Sequence, residues 1–206
     1  MTGSSDRFPS THVSLLSRLR DRGNDRAWRE FEERYRDLLL RFSRRRGLQP
    51  ADAEDVVQSV FLSLSRCLPG FRYDPAVGRF RDYLFRAVRN AIGRWKNCPD
   101  RAAIQLDMDG DLFADAGDQP TTDERATWEA EWAAHHYRRA LARLRESGEE
   151  RMVRLLERSF DGANAESLAF EFEISVEGIY KARQRARQRL QDLVAEQIRE
   201  EDDFPQ

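Results

Sequence analysis

The 206-residue chain is 40% hydrophobic and 35% charged, with a formal net charge of -2 and a mean hydropathy of -0.78. That balance favours two modest helical cores over one large one and contains no apolar run of membrane-spanning length. Near-neutrality is a cancellation: residues 1–99 carry 20 basic and 12 acidic side chains, 100–134 carry 2 and 10, and 135–206 carry 13 and 15. Cys67 and Cys98 are isolated from each other and from any His at metal-ligand spacing, which argues against a disulfide framework or a zinc site. The polar start MTGSSDRFPS has no signal-peptide core, so the expected location is cytoplasmic.

Residues 1–10 read as a tail, and Val13, Leu15, Leu16 and Leu19 predict a short helix ending near Gly23. Asp25 is positioned to cap a second helix, in which Trp28, Phe31, Tyr35, Leu38, Leu39 and Phe42 recur at helical spacing up to the basic stop at 44–47. A third helix is predicted from Asp52, with Val57, Val60, Phe61, Leu64 and Leu68 inward. Asp55, Gln58 and Leu62 fall on its far side, where Leu62 is either a protein-docking spot or an ordinary exposed leucine.

Pro69 and Gly70 break that helix, and the loop FRYDPAVG leads into RFRDYLFRAVRNAIGRWK. On a helical projection Phe80, Tyr83, Leu84, Ala87, Val88, Ala91 and Trp95 share one stripe, while Arg79, Arg86, Arg89, Asn90 and Lys96 share the opposite arc. The segment holds six basic residues and one acid, Asp82, so the arc is either a solvated face or a surface that tracks phosphates. Phe71, Arg72 and Tyr73 stand at the mouth of this face. The two aromatics either stack unpaired bases or plug the loop onto the core.

From 97 to 127 the helical period disappears into Asp, Gly and Pro, predicting a flexible acidic linker able to span on the order of 100 Å. Asp107, Asp109 and Asp111 lack the glycine and glutamate spacing of a calcium loop, and neither metal nor cofactor is expected. Helical pattern returns from Trp128 and again from Glu149. His135 and His136 have no ligand partners in pattern. Asn164 is positioned to cap a short helix and Ser175 a longer one, Val176 to about Ala195, burying Ile179, Ala182, Ala186, Leu190 and Leu193. Its other face presents Glu177, Lys181, Gln184, Arg185 and Gln188, the pattern of a helix-turn-helix reader of the major groove, with a charged terminal bundle helix as the alternative. Residues 196–206 read as a solvated acidic tail.

Three stretches together resemble the bacterial RNA polymerase sigma factors of the extracytoplasmic-function type. DAEDVVQSVF at 52–61 is similar to the helix that docks on the clamp of the largest polymerase subunit, and FRDYLFRAVRNAIGRWK at 80–96 to the helix that engages the minus-ten element, with its ArgAsn pair at Arg89 and Asn90. Gly162 to Leu190 resembles the minus-35 helix-turn-helix, notably at Ala169, Ile174, Ser175, Val176, Ile179, Arg185, Ala186, Arg187 and Leu190. Glu173 stands where the family commonly has a turn glycine; a left-handed backbone there would cost about 1 kcal/mol.

The resemblance implies an all-α chain with a sigma2-like bundle at 25–96, an acidic linker at 97–127, a sigma4-like domain at 128–195 and a tail at 196–206. It implies polymerase contacts at Asp52, Asp55, Gln58 and Leu62. Minus-ten contacts fall at Phe71, Arg72, Tyr73, Arg79, Arg86, Arg89, Asn90 and Lys96, and minus-35 contacts at Ser175, Glu177, Gly178, Lys181, Gln184 and Arg185. The implied partners are core polymerase, through its clamp and the flap of the second-largest subunit, and promoter DNA, with an anti-sigma factor as a further candidate. The chain lacks GxSxG, P-loop and HExxH patterns, and no catalysis is expected. A stand-alone helix-turn-helix regulator is the competing reading, and the basic segment at 71–96 is what discriminates the two.

Overall fold

A computed structural model of the chain describes residues 15–19, 21, 23–67, 79–97 and 119–202. Among these residues the regular structure is entirely helical: α1 (Leu15–Arg18), α2 (Asp25–Arg45), α3 (Pro50–Cys67), α4 (Phe80–Asn97), α5 (Thr122–Glu146), α6 (Glu150–Phe160), α7 (Ala165–Phe172) and α8 (Val176–Asp202). None of these helices is long and apolar enough to cross a membrane. The expected loop residues Phe71, Arg72 and Tyr73, Cys98, and residues 98–118 of the expected linker lie outside the described residues.

The first core forms where the apolar stripes of α2, α3 and α4 meet. Phe31, Tyr35, Leu38, Leu39 and Phe42 interlock with Val56, Val57, Val60 and Leu64 and with Phe80, Leu84 and Val88. Aromatic edges carry much of the fit: Phe31 meets Phe80 at 6.0 Å between centroids and 70° between planes. Capping differs by one residue from expectation. Asn24, not Asp25, accepts the Ala27 N–H at 3.1 Å, because a cap must sit outside the helix it closes.

The larger departure is α5. It begins at Thr122, so residues 122–127 of the expected linker are helical. A capping box starts it: Thr121 Oγ1 accepts from Glu124 N at 3.1 Å while the Glu124 carboxylate accepts from Thr121 N at 3.0 Å. Two turns on, Trp128 and Trp132 are buried in the first core, Trp128 edge-on to Phe42 at 5.3 Å and beside Phe85 at 5.5 Å. The far half of the same helix supplies Ala140 and Leu144 to a second core with Val153, Leu156, Ala186, Leu190 and Leu193. One uninterrupted helix therefore contributes to both cores.

A third cluster, Leu155, Ala165, Leu168, Phe172 and Ile179, fixes the angle between α7 and α8. Arg151 donates to the Phe172 carbonyl at 2.5 Å, satisfying an orphan acceptor at the end of α7. The turn that follows is left-handed at Glu173 (φ 54, ψ 43), and the Ile174 N–H reaches back to the Ala169 carbonyl at 3.1 Å. Helices α2, α5 and α6 make the corresponding stop with Gly47, Gly148 and Gly162. A side chain at this position is thus strained as the sequence suggested.

The expected tail is also different. α8 continues to Asp202, and within it Gln197 and Glu201 are buried. The Tyr35 hydroxyl donates to Glu201 Oε1 at 2.8 Å, His136 Nε2 lies 3.2 Å from Oε2, and Arg139 lies 3.6 Å from Oε1. With its amide oriented to donate to His136 Nδ1 (3.1 Å) and accept from Ala140 N (3.2 Å), Gln197 links α8 to α5. This polar cluster ties the end of α8 to α2 and α5, which residues 196–202 could not do as a solvated tail.

Candidate nucleic-acid interface

Helices α7 and α8 form with the expected caps, and the face of α8 expected to read DNA is exposed. Asn164 Oδ1 accepts from Ser167 N at 2.8 Å and Ser175 Oγ from Gly178 N at 3.1 Å, so both helices begin at the expected caps. Along α8 Glu177, Lys181, Gln184 and Arg185 are exposed, and Lys181 Nζ pairs with Glu177 Oε1 at 2.6 Å. Gly178 is half-buried; a Cβ there would lie 3.2 Å from Ser175 Oγ and 3.5 Å from the Ile174 side chain, so this glycine serves the tight entry to the helix. Arg183 braces the unit instead of facing outward, donating to Ser159 Oγ at 3.0 Å and to the Ala163 carbonyl at 2.5 Å.

Two further residues lie on this face: Gln188, as its helical position predicts, and Tyr180, which does not follow from the sequence. Tyr180 is 59% exposed beside Gln184, and Gln188, which donates to Asp192 Oδ1 at 2.9 Å, extends the face by a turn. An aromatic at helical spacing ordinarily signals core, which is why Tyr180 carried no signal.

The α4 face is more divided than its pattern suggests. Arg79 and Arg86 are exposed. Arg89 is half-buried with its Nε 3.4 Å from Glu124 Oε2, and Lys96 donates to the Arg46 carbonyl at 3.0 Å. Asn90, expected on the outer arc, is 8% exposed and faces inward between Ala87 and Ala91, also buried. At 100° per residue it sits at the border of the stripe, where a small rotation decides between water and core.

The expected polymerase face is a groove of about 470 Å³ between α2 and α3, lined by Trp28, Arg36, Glu54, Phe61, Gln58 and Leu62. Asp55, Gln58 and Leu62 are exposed, Leu62 by 41%. Asp52 is buried at 7% and does not share that surface: it lies at the border of the apolar stripe of α3 and is taken into the core. Trp28, on α2, is the contributor that reading α3 alone could not find.

Among the described residues no group of His, Cys, Asp and Glu side chains is arranged to hold a metal ion. His135 and His136 are both buried. Burial, reinforced by Arg139, depresses the His135 pKa to about 2, so its ring is a neutral packing element.

Residues 32–97 match the family model for Sigma-70 region 2. The matched segment runs from α2 through α4 and thus contains most of the groove between α2 and α3 and the arginine-bearing face of α4. No curated protein sequence matches the chain significantly. Among solved structures the chain is similar to CnrH, determined in complex with the cytosolic domain of CnrY, at 22% identity, covering 88% of this chain and 95% of that chain with a TM-score of 0.38. At that score the likeness carries no functional argument.

Proposed function

We propose that this protein is a sigma factor of the extracytoplasmic-function type, a subunit that docks on core RNA polymerase and directs it to promoters. The observation that carries the reading is the match of residues 32–97 to Sigma-70 region 2, on helices that present a groove with Trp28, Phe61 and Leu62 on one side and arginines on another. The exposed polar face of α8 supports a second nucleic-acid contact, and a plain helix-turn-helix regulator has no need of the first. On this reading α3 and Trp28 meet the polymerase clamp, the α4 face meets the minus-ten strand and α8 reads the minus-35 duplex. The acidic segment before α5 occupies a basic polymerase channel, and an anti-sigma factor is the natural counterpart where activity is held in check.

Isolated binding contributes little melting, since stacking and phosphate contacts offset unpairing only when several act together. The decisive experiment is therefore done with polymerase. Leu62→Arg places a charge in the groove at an exposed position, so the fold is retained while core polymerase binding falls at least tenfold, about 1.4 kcal/mol. Wild-type affinity in this variant places docking elsewhere. In the same complexes, Gln184→Ala or Arg185→Ala relaxes base preference at one position of a selected duplex.

A further inference from the structure

The cationic side of the first core is not open to solvent along its whole length. Where α5 begins, Glu124 lies 2.6 Å from Arg46 NH2 and 3.4 Å from Arg89 Nε, and Asp123 lies 3.5 Å from Arg46 NH1. One turn further, Glu129 lies 3.2 Å from Arg81, and Glu131 pairs with Arg45. Four acids on one helix thus take up four arginines on α2, α4 and the turns beside them. Two of those arginines, Arg46 and Arg89, are largely withdrawn from water, with side chains 23% and 16% exposed.

We propose that the first turn of α5 is an autoinhibitory strap, its Asp123 and Glu124 carboxylates occupying the positions at Arg46 and Arg89 that a nucleic-acid phosphate takes when the strap lifts. The proposal rests on the reading of α4 as a strand-binding face. A carboxylate offers guanidinium the same fork of acceptors as a phosphate, so the exchange is like for like. What moves is small. Trp128 and Trp132 anchor α5 in the first core, so lifting the strap means unwinding residues 121–125 and leaves the rest of the helix seated. The resistance comes from the capping box and from the arginines themselves. Burial alone would raise the Glu124 pKa, but the Thr121 N–H, Arg46 and Arg89 outweigh it and hold the carboxyl below its ordinary range, so the strap stays charged at neutral pH.

The arrangement separates two states of one chain. Free in solution, the strap lowers the affinity of the α4 face for stray nucleic acid. Bound to polymerase, the first turn of α5 lifts and Arg46 and Arg89 join the exposed Arg79 and Arg86 as cations open to a phosphate backbone.

The test uses the full chain and a fluorescein-labelled single-stranded oligonucleotide, with anisotropy measured across a salt series. Glu124→Gln keeps the capping box, since Gln serves at that position, and removes the charge. Combined with Asp123→Asn it is expected to tighten binding about fivefold at low salt and to steepen the dependence of log affinity on log salt by roughly one unit, as freshly exposed arginines release counterions. Adding Arg89→Ala and Arg46→Ala to that background is expected to cancel the gain. Glu157→Gln combined with Glu196→Gln, which removes the same two charges from the exposed Glu157–Arg145 and Glu196–Arg143 pairs, is the control for net charge, and an equal gain there overturns the proposal. Unchanged affinity in the strap variant, with wild-type binding still salt-dependent and lost on Arg86→Ala, overturns the strap while the α4 face stands. Binding that is indifferent to Arg86→Ala in every variant overturns both.

Discussion

Tyr35 and Glu201, 166 residues apart in the chain, meet through a 2.8 Å hydrogen bond in which both side chains are buried. Tyr35 belongs to the α2 stripe of the first core and stacks on Trp132 of α5 at 6.3 Å and 21°. Glu201 lies in the last turn of α8, whose start is proposed to face DNA. Burial, and then the neighbouring carboxylate, raise the Tyr35 pKa well above its ordinary value, so the hydroxyl remains a donor throughout the useful pH range. Removing the donor alone, in Tyr35→Phe, leaves Glu201 with His136 and Arg139 and costs about 1 kcal/mol. Removing the acceptor, in Glu201→Ala, strands the buried Tyr35 hydroxyl and takes the carboxylate away from the nearby His136 and Arg139, at a cost of about 3 kcal/mol. Urea unfolding of the two variants measures the difference; equal effects would mean that the cluster does not act through Glu201.

The histidine beside this cluster makes the fold acid-sensitive. His135 has a folded pKa near 2 against about 6.5 unfolded, so the unfolded chain binds the extra proton across that interval. Stability from this group is therefore complete above about pH 6.5 and declines as pH falls, by about 1.4 kcal/mol at pH 5.5. His135→Phe keeps the ring beside Tyr35 and Trp132, removes a buried nitrogen that lacks a partner, and flattens the decline. An unchanged acid transition in thermal melts between pH 7 and 5 would assign the sensitivity to another group.

At Glu173 two opposing terms decide the sign. Relief of the left-handed strain favours glycine by about 1 to 2 kcal/mol. The extra freedom that glycine gives the unfolded chain takes back about 0.4 to 1 kcal/mol. Glu173→Gly is thus expected to stabilise the protein by roughly 0.5 kcal/mol, and Glu173→Val to destabilise it, as read by denaturation midpoints. A loss of stability on going to glycine would mean that the glutamate side chain contributes more than its backbone costs.

Much of the fold was legible because helical period, caps and stops are local properties. Asn164 and Ser175 sit as caps where the residues put them, and the exposed positions 55, 58 and 62 follow from one stripe on α3. What was not legible depends on where a helix lies. The Thr121 to Glu124 capping box stands in the sequence, but the run of acids and prolines before it hid the start of α5. Nothing in the spacing of Trp128 and Trp132 says which core receives them. Asn90 and Asp52 each lie at the border of an amphipathic stripe, where a rotation of one residue decides between water and core. The charged end EQIREED reads as solvated because its partners, Tyr35, His136 and Arg139, are remote in sequence.

The sigma-factor reading is tested most directly by promoter opening. Core polymerase, this protein and a promoter fragment bearing a fluorescent adenine analogue in its minus-ten region are mixed at moderate salt. Fluorescence is expected to rise with wild type, and Arg86→Ala to reduce the rise more than it weakens closed-complex binding, because Arg86 is an exposed cation on the α4 face. No rise with wild-type protein, on DNA that the complex demonstrably binds, would contradict the reading and leave a helix-turn-helix regulator in its place.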